Sequence, residues 1–153
     1  MELTVLIIDD NDDEILMTKF ILTKINQNVR THAALSGEAG LALLHGLTTL
    51  PSLILLDLKM PKLDGLEVLR VMQENEHLRR IPVVIFTHSK LESDEQLAIK
   101  AGACSFLHKS TDLDQYKQDL KRILECCLEE NAATSLTKSI HHTDFCKLSV
   151  QPC

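Results

Sequence analysis

The chain has 153 residues, enough for one domain with a full core and too few for two ordinary ones. Its apolar fraction of 44% is that of a globular protein, and no run approaches the roughly 18 apolar residues a membrane span needs. A net charge of -6 and an aromatic content of 3% argue against the basic stripe and the stacking platform of a nucleic-acid surface.

Met1-Glu2-Leu3 leads directly into a strand, without the basic segment and cleavage site of a secretory signal, so a cytoplasmic protein is expected. Val5-Leu6-Ile7-Ile8 is wholly apolar, as a parallel strand buried on both faces must be, and it ends in Asp9-Asp10. Asn11 to Asp13 supply a cap and an acidic first turn for a helix through about Ile25. Val29 to Ala33 predicts a weaker second strand. Ser36 then caps a helix whose expected buried stripe is Ala39, Leu43, Leu44 and Leu47. Leu53-Ile54-Leu55-Leu56 is another continuous apolar run, and Asp57 stands where it stops. Met60-Pro61 to Asp64-Gly65 must turn, since Pro cannot extend the ladder and Asp-Gly supplies turn chemistry. A helix from about Asp64 to Glu74 follows, carrying Leu66, Leu69 and Met72, and the charged stretch Glu74 to Arg80 reads as helix end and loop. Val83-Val84-Ile85-Phe86 ends at Thr87. Ser89-Lys90-Leu91-Glu92 has capping-box spacing for a helix closed by Gly102. Cys104 to His108 predicts a fifth strand with Lys109 at its end. Thr111 is expected to cap a long helix with the apolar face Leu113, Tyr116, Leu120, Ile123, Leu124 and Cys127. Beyond Glu130 the pattern lapses, which sets a domain over 1–129 and a flexible tail over 130–153 with Ile140, Phe145 and Leu148 as its apolar handles. The cysteines, Cys104, Cys126, Cys127, Cys146 and Cys153, are odd in number, without metal or framework spacing, and read as reduced thiols.

Strand and helix alternate along the domain with short connections and no internal repeat, which implies an α/β fold: a doubly wound five-stranded parallel sheet with helices on both faces. In such a sheet Asp9, Asp10, Asp57, Thr87 and Lys109 all fall on the carboxyl rim, where open α/β sheets carry their ligands. Three carboxylates brought together at neutral pH repel one another unless a cation sits among them, and hard oxygen donors with room for water suit Mg²⁺. Lys109 and the Thr87 hydroxyl complement an oxyanion that carboxylates alone would reject. Metal, carboxylate nucleophile, lysine and hydroxyl together suit phosphoryl transfer. Taken singly, each residue has a plainer reading: an Asp-Asp pair caps a helix, a lysine after a strand is solvated, a threonine belongs to a turn, Phe106 is core. His141, His142 and Cys146 read more readily as polar tail than as metal ligands.

Apolar-Asp9-Asp10, Leu55-Leu56-Asp57-x-x-Met60-Pro61-x-x-Asp64-Gly65, apolar-Thr87 and apolar-x-Lys109 occur in order and at spacings that resemble the response-regulator receiver domains of two-component signalling, over about Leu3 to Leu128. The resemblance is closest to small single-domain regulators partnered with bacteriophytochrome-type histidine kinases. It implies a flavodoxin-like strand order 2-1-3-4-5, with Asp57 as the phosphoacceptor that takes a phosphoryl group from a kinase histidine. It also implies Mg²⁺ held directly by Asp10 and Asp57, by Asp9 through water, and by the backbone carbonyl of Lys59. Lys109 would contact the phosphoryl group, Thr87 would move to bond it, and Phe106 would be the switch aromatic that turns inward. Output by protein–protein contact is expected, to an unknown downstream protein or to a second copy through the face of the fourth strand, fourth helix, fifth strand and fifth helix. The chain departs from the family at Ser110, where most members have proline after a commonly cis bond, and at His88, where most have a smaller residue. Lys59 and Ser89 stand at the two positions the family uses to tune hydrolysis. A haloacid-dehalogenase-like phosphohydrolase, which needs a second Asp where Lys59 stands, and an unphosphorylated receiver-like scaffold are the alternatives.

Overall fold

The computed structural model describes residues 2–134. Its strands are β1 (Leu3–Ile8), β2 (Val29–Ala34), β3 (Leu53–Leu56), β4 (Val83–Thr87) and β5 (Ser105–His108). Between and after them run α1 (Asp12–Ile25), α2 (Gly37–Gly46), α3 (Gly65–Glu74), α4 (Glu92–Lys100) and α5 (Leu113–Thr134), with a single 3-10 turn at Leu78–Arg80. All pairings are parallel and the order is β2-β1-β3-β4-β5, the doubly wound arrangement expected.

The apolar runs feed two cores, because successive side chains of a strand leave on opposite faces. Val5, Ile7, Leu55 and Val84 pack with Ile15, Leu22, Tyr116, Leu120 and Leu124 under α1 and α5. Leu6, Ile8, Leu56 and Ile85 pack with Leu44, Val68, Met72, Ala98 and Phe106 under α2, α3 and α4. Full burial of each such side chain stabilises the fold by roughly 1.5–3 kcal/mol, so the central strands are its most firmly held part. Register then fixes the rim. Ile8 pairs with Leu56, so Asp9 and Asp57 leave the sheet side by side. Thr87 pairs with His108, so Lys109 emerges next to the end of β4.

Asn11 caps α1 by accepting from the Asp13 and Glu14 amides, Ser36 caps α2, and Asp64 and Glu67 form a reciprocal capping box on α3. Several local expectations are corrected. Ala39 is exposed, and α2 buries Gly37, Gly40 and Leu44 instead. A β-carbon at Gly40 would stand 2.5 Å from Ile8 Cδ1, so glycine lets the helix lie closer to the sheet than an alanine stripe could. Ser89 does not cap α4: Leu91 is the N-cap residue, and the Ser89 hydroxyl donates to Asp94, a charged and therefore stronger acceptor. Asp112 rather than Thr111 caps α5, accepting from the Gln115 amide at 3.0 Å, where its charge also complements the helix dipole. Leu113, expected on the buried face of α5, is half exposed.

The Lys109–Ser110 bond is trans, as are all bonds among the described residues. No helix among them is long and apolar enough to cross a membrane. α5 continues to Thr134. Positions 135–153, which hold Ile140, His141, His142, Phe145, Cys146, Leu148 and Cys153, lie outside the described residues.

The turn after β3 depends on Gly65, whose amide donates to Leu58 O at 2.9 Å. A β-carbon there would meet Asp57 O at 2.5 Å and Leu58 Cα at 2.9 Å, backbone atoms that cannot swing aside. Gly65→Ala is expected to lower stability by about 1–3 kcal/mol in urea titration. Gly46→Ala, where nothing lies within 4 Å, should be neutral or mildly stabilising in the same assay.

Candidate functional site

The sheet ladder runs one residue past each apolar strand before the chain turns away. Asp9 N donates to Ala34 O at 3.1 Å and Asp57 N to Ile8 O at 2.9 Å, so both carboxyl-bearing residues have anchored backbones. Carboxylate oxygens of Asp9, Asp10 and Asp57 lie within 4.8 Å of one another. Asp9 and Asp57 are buried and Asp10 is exposed, which gives the cluster an inner wall and one open side. Asp9 is oriented further by the Asn11 amide, which donates to Oδ1 at 2.9 Å.

Lys109 crosses the site from the other end of the rim. Its amide donates to Thr87 O at 2.7 Å, its side chain is almost wholly buried, and its ammonium passes 5.6 Å from the centre of the Phe86 ring. The ammonium donates to Asp9 Oδ2 and to Glu14 Oε2. In the sequence Glu14 counts only as one acid of a helix start. The available signal was its spacing: it lies four residues after Asp10, one helical turn on, and so returns to the rim. The second Glu14 oxygen pairs with His88 Nε2, and that ring stands edge-on to His108.

Thr87 is buried at the end of β4, and its hydroxyl accepts from the Ser89 amide at 3.3 Å. Lys59 extends into solvent but pairs with Asp94 Oδ2 at 3.2 Å, the carboxylate that also receives the Ser89 hydroxyl. Lys59 and Ser89, the two positions expected to tune hydrolysis, are therefore joined through Asp94 in the first turn of α4. Phe106 is buried, 8% exposed, in the cluster that holds Ile85 and Ala98.

The electrostatics follow from burial against pairing. Burial raises the Asp57 carboxyl above its ordinary value, with Asp10 adding repulsion, and Lys109 and the Thr87 hydroxyl only partly offset this. Burial raises Asp9 in the same way, opposed by its bond to Lys109. Burial also works against the Lys109 charge, but the Asp9 and Glu14 carboxylates outweigh it and hold the ammonium above its ordinary value. For Glu14, burial is outweighed by Lys109 and His88, which hold it low. Asp94 is lowered chiefly by the Ser89 hydrogen bond. The rim thus holds more negative charge than its lysine can balance, with oxygen donors only and one side open to water. That donor set fits a hard divalent cation such as Mg²⁺.

Residues 5–121 match the response regulator receiver domain family. The chain belongs to it. A probable cyclic di-GMP phosphodiesterase of Vibrio cholerae is 34% identical over 74% of this chain, which spans only 25% of that protein's length. The phosphorylated cyanobacterial phytochrome response regulator RcpA superposes with a TM-score of 0.78 at 29% identity, covering 84% of this chain and 95% of that one. The Mn²⁺-bound response regulator Rcp1 gives a TM-score of 0.67 at 28% identity, covering 78% of this chain and 90% of its own. The expected family and the expected strand order are both borne out. As a receiver domain the chain is a component of two-component signalling, and the acidic cluster lies where the sheet's ligand edge requires it.

Because burial raises Asp57 above its ordinary value of 3.8, its ionised form opposes folding at neutral pH. That penalty is complete above the folded-state value, is relieved as pH falls through it, and is gone below 3.8. In the absence of divalent cations, Asp57→Asn is expected to raise the thermal midpoint at neutral pH by about 3–5 °C, the scale of ~1 kcal/mol in a domain of this size. The gain should shrink towards zero as the solution is acidified.

Proposed function

We propose that this receiver domain accepts a phosphoryl group on Asp57 from the phosphohistidine of a sensor kinase and reports it by protein–protein contact. The observation that carries this is the convergence of the Asp9, Asp10 and Asp57 carboxylates within 4.8 Å on the rim that Lys109 crosses. In the transfer, an Asp57 oxygen forms a bond to phosphorus as the P–N bond to the kinase imidazole breaks; the released nitrogen keeps the electron pair, and the proton on the other ring nitrogen leaves the histidine neutral beside an acyl phosphate. Asp10 and Asp57, with Asp9 through water and the Lys59 carbonyl, would hold Mg²⁺, which supplies charge neutralisation at the phosphoryl oxygens. Lys109 offers the fixed positive charge and Thr87 a hydroxyl donor. Rcp1 in its Mn²⁺-bound form supports the metal reading, and RcpA, described as a phytochrome response regulator, supports a kinase of the bacteriophytochrome type. The phosphohydrolase alternative is disfavoured because Lys59, not an acid, stands two residues after Asp57 and turns to Asp94. A bare scaffold would not need Asp10, Asp57 and Lys109 all retained.

Incubation with Mg²⁺ and a small phosphodonor, followed by intact mass, should show the gain of one phosphoryl group. The gain should disappear with chelator and in Asp57→Asn, which keeps the shape and removes the nucleophile. An unchanged gain in the variant would assign the phosphoacceptor elsewhere.

Asp57 lies too deep to be read directly, so a moving element must report its charge. Thr87 satisfies a phosphoryl oxygen by shifting inward, and the loop it leads carries Ser89, which is tied through Asp94 to α4. The proposed readout is therefore the face of β4, α4, β5 and α5, where the half-exposed Leu91, Leu97 and Leu113 offer contact to a target or a second copy. Hydrogen exchange with a stable phosphoryl mimic on Asp57 should change between Val83 and Lys109. Changes absent there and confined beyond Glu130 would rule this switch out.

A further inference from the structure

Lys109 bonds a second carboxylate, Glu14, besides that of Asp9. An ammonium has three donors, and the hydrogen bonds found for Lys109 go to Asp9 and Glu14, while its attraction to Asp57 is through charge alone. Asp9 lies in the acidic cluster and would share its charge with a bound cation. Glu14 lies outside the cluster and would not, so it is the counter-ion that stays with the lysine when the metal binds. Its side chain is 19% exposed, so the pair is shielded from water and salt more than a surface pair is. Both Glu14 oxygens are used, one on Lys109 and one on His88, so the carboxylate cannot rotate away without breaking both bonds. His88 directly follows Thr87 in the chain. A shift of Thr87 toward a phosphoryl oxygen must drag His88 and loosen its hold on Glu14.

We propose that Glu14, anchored from outside by His88, competes with the phosphoryl group for Lys109. It is a positioning residue that slows loading of Asp57 and gives up the lysine as Thr87 follows the arriving phosphoryl group. The inference rests on Asp57 being the phosphoacceptor. A phosphoryl dianion attracts the ammonium more strongly than one carboxylate does, so the competition sets rate and occupancy without forbidding transfer. With the lysine released, Glu14 is left facing a loop that has moved, so the state of Asp57 is also written at the start of α1.

The test is loading of Asp57 from phosphoramidate at a sub-saturating concentration with saturating Mg²⁺, followed by intact mass. Glu14→Gln is expected to load about tenfold faster than wild type, the scale of one charge-assisted hydrogen bond. Asp13→Asn removes the same charge from an exposed position in the first turn of α1 and should change the rate by less than about twofold. His88→Ala should load about threefold faster, since it releases an exposed partner only. The double variant Glu14→Gln/His88→Ala should be no faster than Glu14→Gln alone, because His88 acts through Glu14. His88 is exposed, so its variant keeps the question open to test should Glu14→Gln fold poorly. Rates for Glu14→Gln no higher than for Asp13→Asn, effects of the two single variants that multiply in the double, or a His88→Ala rate at or below wild type would each overturn the competition while leaving the phosphoacceptor reading intact. A wild-type chain that takes up no phosphoryl group at Asp57 would overturn that reading and this inference with it.

Discussion

The structure turns on one unbalanced charge arrangement: a buried ammonium facing more carboxylate than it can neutralise. Asp9, Asp10 and Asp57 close on one another at the sheet rim, and Lys109 reaches in from β5 with Glu14 beside it. Removing charges from water is costly, and attraction returns that cost only where hydrogen bonds are well made. Here the accounts differ by residue. Lys109 and Glu14 are held in their charged forms, whereas burial pushes Asp57 and Asp9 toward protonation. The deficit has a direction. It favours a divalent cation among the three carboxylates.

Such an arrangement can persist only on a rigid support. The β1–β3 register puts Asp9 and Asp57 side by side because Ile8 and Leu56 are partners and both are fully buried. A one-residue slip would send each strand side chain into the other core, whose packing it does not fit, so the two cores below fix the carboxylates above. Gly65 extends the same constraint to the turn, since its missing side chain lets α3 begin against the Asp57 carbonyl. Stability and site geometry are therefore one problem here, and substitutions that loosen the turn should be felt at Asp57 before they are felt in the sheet.

The sequence made the sheet and its rim legible because each depends on a local rule. Continuous apolar runs mark doubly buried strands, and a polar residue that stops a run marks the ligand edge, which placed Asp9, Asp57, Thr87 and Lys109 without coordinates. What it left hidden are choices between competing local bonds. Ser89 could cap α4 or bond Asp94, and the choice depends on where Asp94 points once α4 has docked. Ala39 reads as core until Gly40 brings Ile8 close and rotates the helix face. Glu14 is one of three acids in a first turn, and only the path of the Lys109 side chain from the far edge of the sheet tells it apart from Asp12 and Asp13.

The contacts of the loop after β4 bear on how a signal can leave the site. Phe106 is buried with Ile85 and Ala98 in the core under α2, α3 and α4. The Thr87–Ser89 loop holds two bridges: His88 and through it Glu14 on α1, Ser89 and through it Asp94 and Lys59. A single inward shift of Thr87 would act on both sides at once, toward α1 through one side chain and toward α4 through the next. Two exposed or half-buried polar bridges of modest strength suffice for this, because moving a population between two arrangements takes only a few kcal/mol of differential contact. Bridges of that strength break and re-form readily, so the loop after β4 is joined to both α1 and α4 by contacts that a small shift can alter.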